Sequence, residues 1–298
     1  MYIFSFFKSL LNPKNWLATL YFLLNTAIIF LLFGIFNFFN LNVENEAIYN
    51  GLIGLGINLV FLLITLTPFG EAILRFNNKV RKIDNPNDAW ILDIFNEVYT
   101  KAIAAAPRIS AKIKLYYTED NVPNAFAIGR RTVIVTTGLV QSLNTEQLKG
   151  VIAHEFSHLI KGDSCLKLGI NLSNIFVLIF IIIARLFAYI FSRIRVLNFL
   201  SVVFDVVLVA LFTLWMKIGN LMVAASSRSS EYTADNFAAQ IGYGEELCEG
   251  LSIISECGKD KSFLATLNAS HPSTPDRLQR LYNSGLIESQ AISYTEEQ

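Results

Sequence analysis

Charge is scarce in this chain. Asp, Glu, Lys and Arg together make up 16% of 298 residues, 24 basic against 24 acidic, while 53% are hydrophobic. That balance has too little charge and too much apolar surface for an ordinary soluble domain, and it points to a membrane protein. No basic tract exceeds the loose cluster Arg75, Lys79, Arg81, Lys82, which argues against nucleic-acid binding and for a membrane flank. Cysteine is scarce as well: Cys165, Cys248 and Cys257 lack C-x-x-C spacing. That excludes a disulfide framework and a cysteine-rich zinc knuckle, and it fits a reduced compartment. No small-residue cleavage site follows the first apolar run, so that run reads as an anchor and not as a removed signal. Histidine is limited to three residues.

What is present begins with two apolar runs, 16–39 and 48–69. Each supplies the roughly twenty residues that a helix rising ~1.5 Å per residue needs to cross a hydrocarbon core ~30 Å thick. The link between them holds Glu44 and Glu46 and no cation, whereas Lys8 and Lys14 precede the first run and the Arg75 cluster follows the second. The positive-inside rule then sets both outer ends in the cytoplasm. A second hairpin is expected from apolar stretches at 170–191 and 196–216, joined through Ser192-Arg193-Ile194-Arg195. Lys149, Lys161 and Lys167 before it and Arg228 after it agree with a cytoplasmic base, while Arg193 and Arg195 at the tip run against the rule. Arg185 and Asp205 are equally distant in sequence from Arg195, so an antiparallel hairpin sets them at one depth. Either they pair, or both snorkel to an interface, or the hairpin enters the bilayer only in part. Gly51, Gly54 and Gly56 fit close helix packing within the second span, because no strand precedes them as a nucleotide loop would require. The expected organisation is an N-terminal transmembrane hairpin over 1–69, a second over 169–217, and one cytoplasmic domain built from 70–168 and 218–298.

In that domain Asp88 precedes Trp90, Ile91, Ile94, Phe95, Val98 and Tyr99 at helical spacing, ending before Pro107. Residues 113–117 alternate as a strand, and 125–128 and 132–136 flank Gly129-Arg130-Arg131 as a hairpin, which predicts a small mixed sheet. Asn144 with Gln147 three residues on has the spacing of a capping box and starts a helix that carries His154-Glu155-Phe156-Ser157-His158.

H-e-x-x-H on a helix projects two imidazoles from one face, four residues apart, where both reach one zinc ion. Glu155, one step round the helix, reaches the water and not the metal, which is the geometry of a general base. A catalytic zinc takes three protein ligands and keeps an open position. The best third ligand is Glu231, and Asp235 on the same helix face is set to accept the outer N–H of a ligating histidine.

These pieces resemble the HtpX family of membrane-bound zinc metalloproteases, related to the CAAX prenyl proteases. The resemblance runs through Asn124-Ala125-Phe126-Ala127, Val151 to His158, Ser227 to Asp235 and His271-Pro272, in that order, and covers nearly the whole chain. The last piece departs from the pattern, with Ser273 where a second proline is common. The resemblance implies a mainly α membrane protein with four transmembrane helices and an α+β zincin-like (gluzincin) cytoplasmic protease domain. It implies one zinc per subunit on His154, His158 and Glu231, and Glu155 as catalytic base. It also implies that Asn124, Ala125 and Phe126 form an edge strand that grips substrate backbone. His271 has two readings, a donor to the developing oxyanion or a structural residue fixing the turn at Pro272. The expected activity is peptide-bond hydrolysis at the bacterial cytoplasmic membrane, on membrane-protein or misfolded polypeptide substrates, in membrane-protein quality control. No nucleic acid is expected as a partner, and the oligomeric state is left open. A membrane scaffold or chaperone with a structural zinc is the alternative; a small-molecule transporter would not explain the H-e-x-x-H helix.

Overall fold

The computed structural model describes residues 2–36, 43–83, 88–107, 113–194, 196–257, 274–285 and 287. It is mainly helical, with one three-stranded sheet among the described residues. A short helix α1 (Tyr2–Leu10) leads through a 3-10 turn into α2 (Trp16–Phe36), and α3 (Glu46–Thr65) returns beside it. Gly51 and Gly54 make that close approach possible: a Cβ on either would sit 2.5 Å from the ring of Phe30 or Phe33, whereas one on Gly56 would meet nothing. Two of the three glycines thus serve the packing expected of them.

The second apolar run does not continue to residue 69. Helix α3 stops at Thr65, because Pro68 has no N–H to extend it, and Thr67 instead caps a new helix α4 (Pro68–Asn77) by accepting the Phe69 N–H at 3.2 Å. Helix α5 (Ala89–Ala105) follows, burying Ile91, Ile94, Phe95 and Val98 as its periodicity predicts and leaving Trp90 exposed.

The sheet has the order β1-β3-β2 with β1 (Lys114–Thr118) parallel to β3 (Thr132–Thr136) and β2 (Ala125–Ile128) antiparallel to it. It is mixed, as expected. Strand β3 is buried throughout, while β2 is an edge. Gly129 turns the hairpin at φ 59°, a conformation that L side chains rarely adopt. A buried carboxylate clamps the turn: Glu71 of α4 accepts the Arg130 N–H at 2.6 Å, the Thr132 hydroxyl at 2.9 Å and the Tyr2 hydroxyl at 2.6 Å. The edge strand is thereby tied to α1 and α4.

After α6 (Thr137–Ser142), helix α7 (Thr145–Lys161) starts on the expected capping box, with Asn144 accepting the Gln147 N–H at 2.9 Å and Gln147 accepting the Asn144 N–H at 3.0 Å. Its apolar side packs on α5, where Phe95, Tyr99 and Phe156 pack ring to ring, and on α10 (Gly244–Cys257). Gly162 at φ 84° ends α7, and α8 (Asp163–Phe191) begins at the next residue.

Among the described residues, four helices are long and apolar enough to cross a membrane: α2, α3, α8 and α9 (Asn198–Gln240). Helix α9 is one rod of 43 residues, about 65 Å at ~1.5 Å per residue and about twice a hydrocarbon core. It runs without a break through the residues where a fourth span was expected to end and the domain to resume. Between α8 and α9, Arg185 Nε donates to Asp205 Oδ1 at 2.7 Å and Nη2 to Oδ2 at 3.3 Å, which decides for pairing. The last described helix, α11 (Thr274–Asn283), docks on α9 and α10.

Candidate metal centre

Helices α7 and α9 cross so that buried polar groups from both meet inside the core. His154, Glu155 and His158 occupy consecutive turns of α7, all buried, with ligand atoms within 4.8 Å of one another, a cluster that could hold a metal ion. From α9, Glu231 is completely buried and reaches both rings: Oε2 lies 3.2 Å from His154 Nε2, and Oε1 lies 3.4 Å from His158 Nε2. The two Nε2 atoms are 3.3 Å apart. Three ligand-type groups, two imidazoles and a carboxylate, therefore face one another.

Asp235, one turn further along α9, lies with Oδ1 2.8 Å from His154 Nδ1. A carboxylate there accepts the Nδ1–H and leaves the Nε2 lone pair aimed at the cluster. Sequence reasoning overlooked the next residue in this chain of contacts. Arg277 of α11 is buried and donates from Nε to Asp235 Oδ2 at 2.9 Å and from Nη2 to Oδ1 at 2.5 Å, a bidentate pair. A signal was available: Arg277 and Leu281 are four apart on a short amphipathic helix, which puts an arginine on its apolar face. His271, by contrast, lies outside the described residues.

The electrostatics follow from burial and pairing. Burial pushes the Glu155 carboxyl up to about 7, against the opposing pull of His154. Burial also works to raise Asp235, but the Arg277 guanidinium and the His154 ring outweigh it and hold that carboxyl down at about 2. For His154, burial disfavours the charged ring, yet its contacts to Asp235 and Glu231 lift it to about 9. The two carboxylates thus create a preference for positive charge at His154, met by a proton or by a cation.

A groove opens beside this cluster. It encloses about 460 Å³ and is lined by Glu155 and His158 on one side and by Asn124, Ala125, Phe126 and Ala127 on the other. The Asn124 N–H is held by Thr136 Oγ1 at 2.9 Å, and the Asn124 carbonyl accepts the Thr136 N–H at 3.0 Å, which fixes the start of β2 against β3. The opposite edge of the sheet is met by Arg81, which exchanges two backbone hydrogen bonds with Tyr117. Among the described residues, the open edge of the sheet is therefore the one beside the cluster.

Residues 86–284, the stretch that contains the sheet, the α7 cluster, Glu231 and Arg277, match peptidase family M48. The chain belongs to peptidase family M48. Protease HtpX of Buchnera aphidicola is 30% identical over 236 residues, spanning 67% of this chain and 74% of that protein. Protease HtpX homologues of Bacillus licheniformis and Prosthecochloris aestuarii are each 28% identical, over 207 and 233 residues, covering 63% and 72% of this chain and 68% and 73% of theirs. The crystal structure of S. mikatae Ste24p aligns with 91% of this chain and 66% of its own at 18% identity and a TM-score of 0.46. As an M48 peptidase of the HtpX kind, the chain is a metalloendopeptidase, and its four long apolar helices make it a membrane protein.

Proposed function

We propose that the chain is a zinc-dependent endopeptidase that cuts polypeptides at the cytoplasmic face of a bacterial membrane, in membrane-protein quality control. The observation that carries the metal assignment is the spacing of His154 Nε2, His158 Nε2 and Glu231. The two imidazole nitrogens are 3.3 Å apart and each has one oxygen of the Glu231 carboxylate within 3.2–3.4 Å, close enough for both rings and the carboxylate to reach one ion with bonds of about 2.0–2.1 Å. A structural zinc is enclosed by four protein ligands. Here the groove reaches His158 and Glu155 from outside, which favours catalysis over a scaffold with a structural metal.

When bound, zinc polarises the scissile carbonyl and lowers the pKa of the attacking water. Glu155, buried beside the two histidines and lining the groove, accepts the water proton and delivers it to the leaving amine nitrogen. Asp235 fixes the His154 tautomer, and Arg277 keeps Asp235 charged and oriented. The outer edge of β2 receives the substrate backbone as an added strand, which aligns the scissile bond with Glu155. The cytoplasmic orientation rests on the cations that flank the spans on the side of the cluster, Lys14, Arg75 and Lys167 among them.

Cleavage of casein and of a membrane-protein substrate, measured alongside zinc stoichiometry in the full chain, tests the reading. Glu155→Gln should keep zinc and fold while the rate falls about 10²–10⁴-fold. His158→Ala should lose both zinc and cleavage. An active Glu155→Gln protein would overturn the assignment.

A further inference from the structure

The groove beside the cluster does not end at the edge strand. It continues between α8 and α9, where Lys167, Asn171 and Asn174 line one wall and Asn220 the other, and Leu178 and Phe212, further along the same two helices, add apolar surface. On α8 the polar residues are spaced by four and three, and on α9 Asn220, Met216 and Phe212 are spaced by four, so each wall is one helix face. The polar section reaches into the spans. Asn174 Oδ1 accepts the Tyr21 hydroxyl at 2.8 Å and lies 3.4 Å from Asn25 Nδ2. Those partners stand about 8 and 14 Å along α2 from Trp16 at ~1.5 Å per residue.

We propose that Asn171 and Asn220 form a binding subsite for the backbone of an unwound, lipid-derived segment of substrate on its way to the edge strand. The inference deepens the peptidase reading and rests on it. A membrane-spanning helix cannot be cut until it is extended, and extension inside lipid leaves N–H and C=O groups unpaired at a cost of several kcal/mol each. A carboxamide offers both a donor and an acceptor, so it pairs with either backbone group and carries no sequence preference. The order along the groove fits that passage: apolar surface farthest from the cluster suits a helix still in lipid, asparagines follow where it unwinds, and β2 then offers ladder partners next to Glu155. Lys167, between the asparagines and the cluster, supplies a further donor to emerging carbonyls.

The test compares two substrates in full-length protein reconstituted in liposomes: a single-span reporter whose cleavage site lies at the membrane boundary, and soluble casein. In Asn171→Leu/Asn220→Leu the ratio of reporter to casein turnover should fall about tenfold, and Asn171→Gln/Asn220→Gln should restore it. A ratio within about twofold of wild type, or an equal fall in the glutamine variant, would overturn the subsite. Independently, a photo-crosslinking residue at position 220 in a Glu155→Gln background should capture the reporter, and no capture would count against the proposal. Wild-type protein that cleaves neither substrate would instead overturn the peptidase reading and the subsite with it.

Discussion

Near the start of α9, Asp205 meets Arg185 in a two-residue pair with side chains 33% and 52% exposed; near its end, Asp235 meets Arg277 and His154 with its side chain 2% exposed. The same helix carries both carboxylates and both face a guanidinium, yet their surroundings differ. Asp205 stands on α9 against α8 and, among the described residues, pairs with Arg185. Asp235 has partners from α7 and α11, and the His154 it touches is itself in reach of Glu231 on its far side. The exposed pair joins two helices that already pack; the buried set couples three elements and fixes the direction of an imidazole. Charge in the second case is integrated with the chemistry, and its loss propagates further.

The largest break in this comparison should come from Arg277→Ala. It leaves the Asp235 carboxylate buried without its bidentate partner, and stranding one member of a buried pair costs about 3–5 kcal/mol. In thermal unfolding of the detergent-solubilised protein this should lower Tm on the order of 10 °C. A Tm near wild type would mean that Asp235 draws its compensation from elsewhere, and the contrast between the two ends of α9 would collapse.

Arg277 also marks the limit of what could be read from the sequence. His154 and His158 were legible because five residues of one helix hold the relation, and a second four-residue spacing put Glu231 and Asp235 on one helix face as the candidate third ligand and its neighbour. The β2–β3 hairpin and the capping box at Asn144 were local as well. Arg277 meets Asp235 across 42 residues, and that contact exists only because α11 docks on α9, which no local periodicity encodes. The Glu71 clamp on the hairpin turn, between residues 59 apart, was hidden for the same reason. The continuity of α9 was missed for a different one. Hydropathy falls after Met216 and suggested a boundary, but helix propensity does not track hydropathy, and the residues from Lys217 to Ser230 sustain the helix past that fall. The break at Pro68 lay in plain view, but the hydropathy of Phe69 extended the apolar run past it.

Asp235→Asn sharpens the comparison from the chemical side, with a smaller effect. The amide still accepts the His154 Nδ1–H but carries no charge to raise the basicity of the ring or to balance Arg277. Loss of such an outer-shell carboxylate lowers metal affinity about 10–100-fold. Competition against a chelator of known zinc affinity measures it, and an unaltered affinity would show that Asp235 serves Arg277 and the fold alone.

The smallest effect should come from Asp205→Asn. Arg185 would lose its charged partner, but its side chain is half exposed and it stands six residues before the end of α8, toward the tip of the hairpin formed by α8 and α9, where a long side chain can snorkel. The cost is therefore limited by how far the arginine can move, a freedom that the enclosed Arg277 lacks. Thermal unfolding in detergent should show a drop well below that of Arg277→Ala, and casein cleavage should stay within about twofold of wild type, because distant and unshared sites act almost independently. A drop as large as that of Arg277→Ala would mean that the pair sits deep in lipid with no escape route. In that case the exposed end of α9 would depend on its charges as strongly as the buried one does, and burial in protein would not be what separates them.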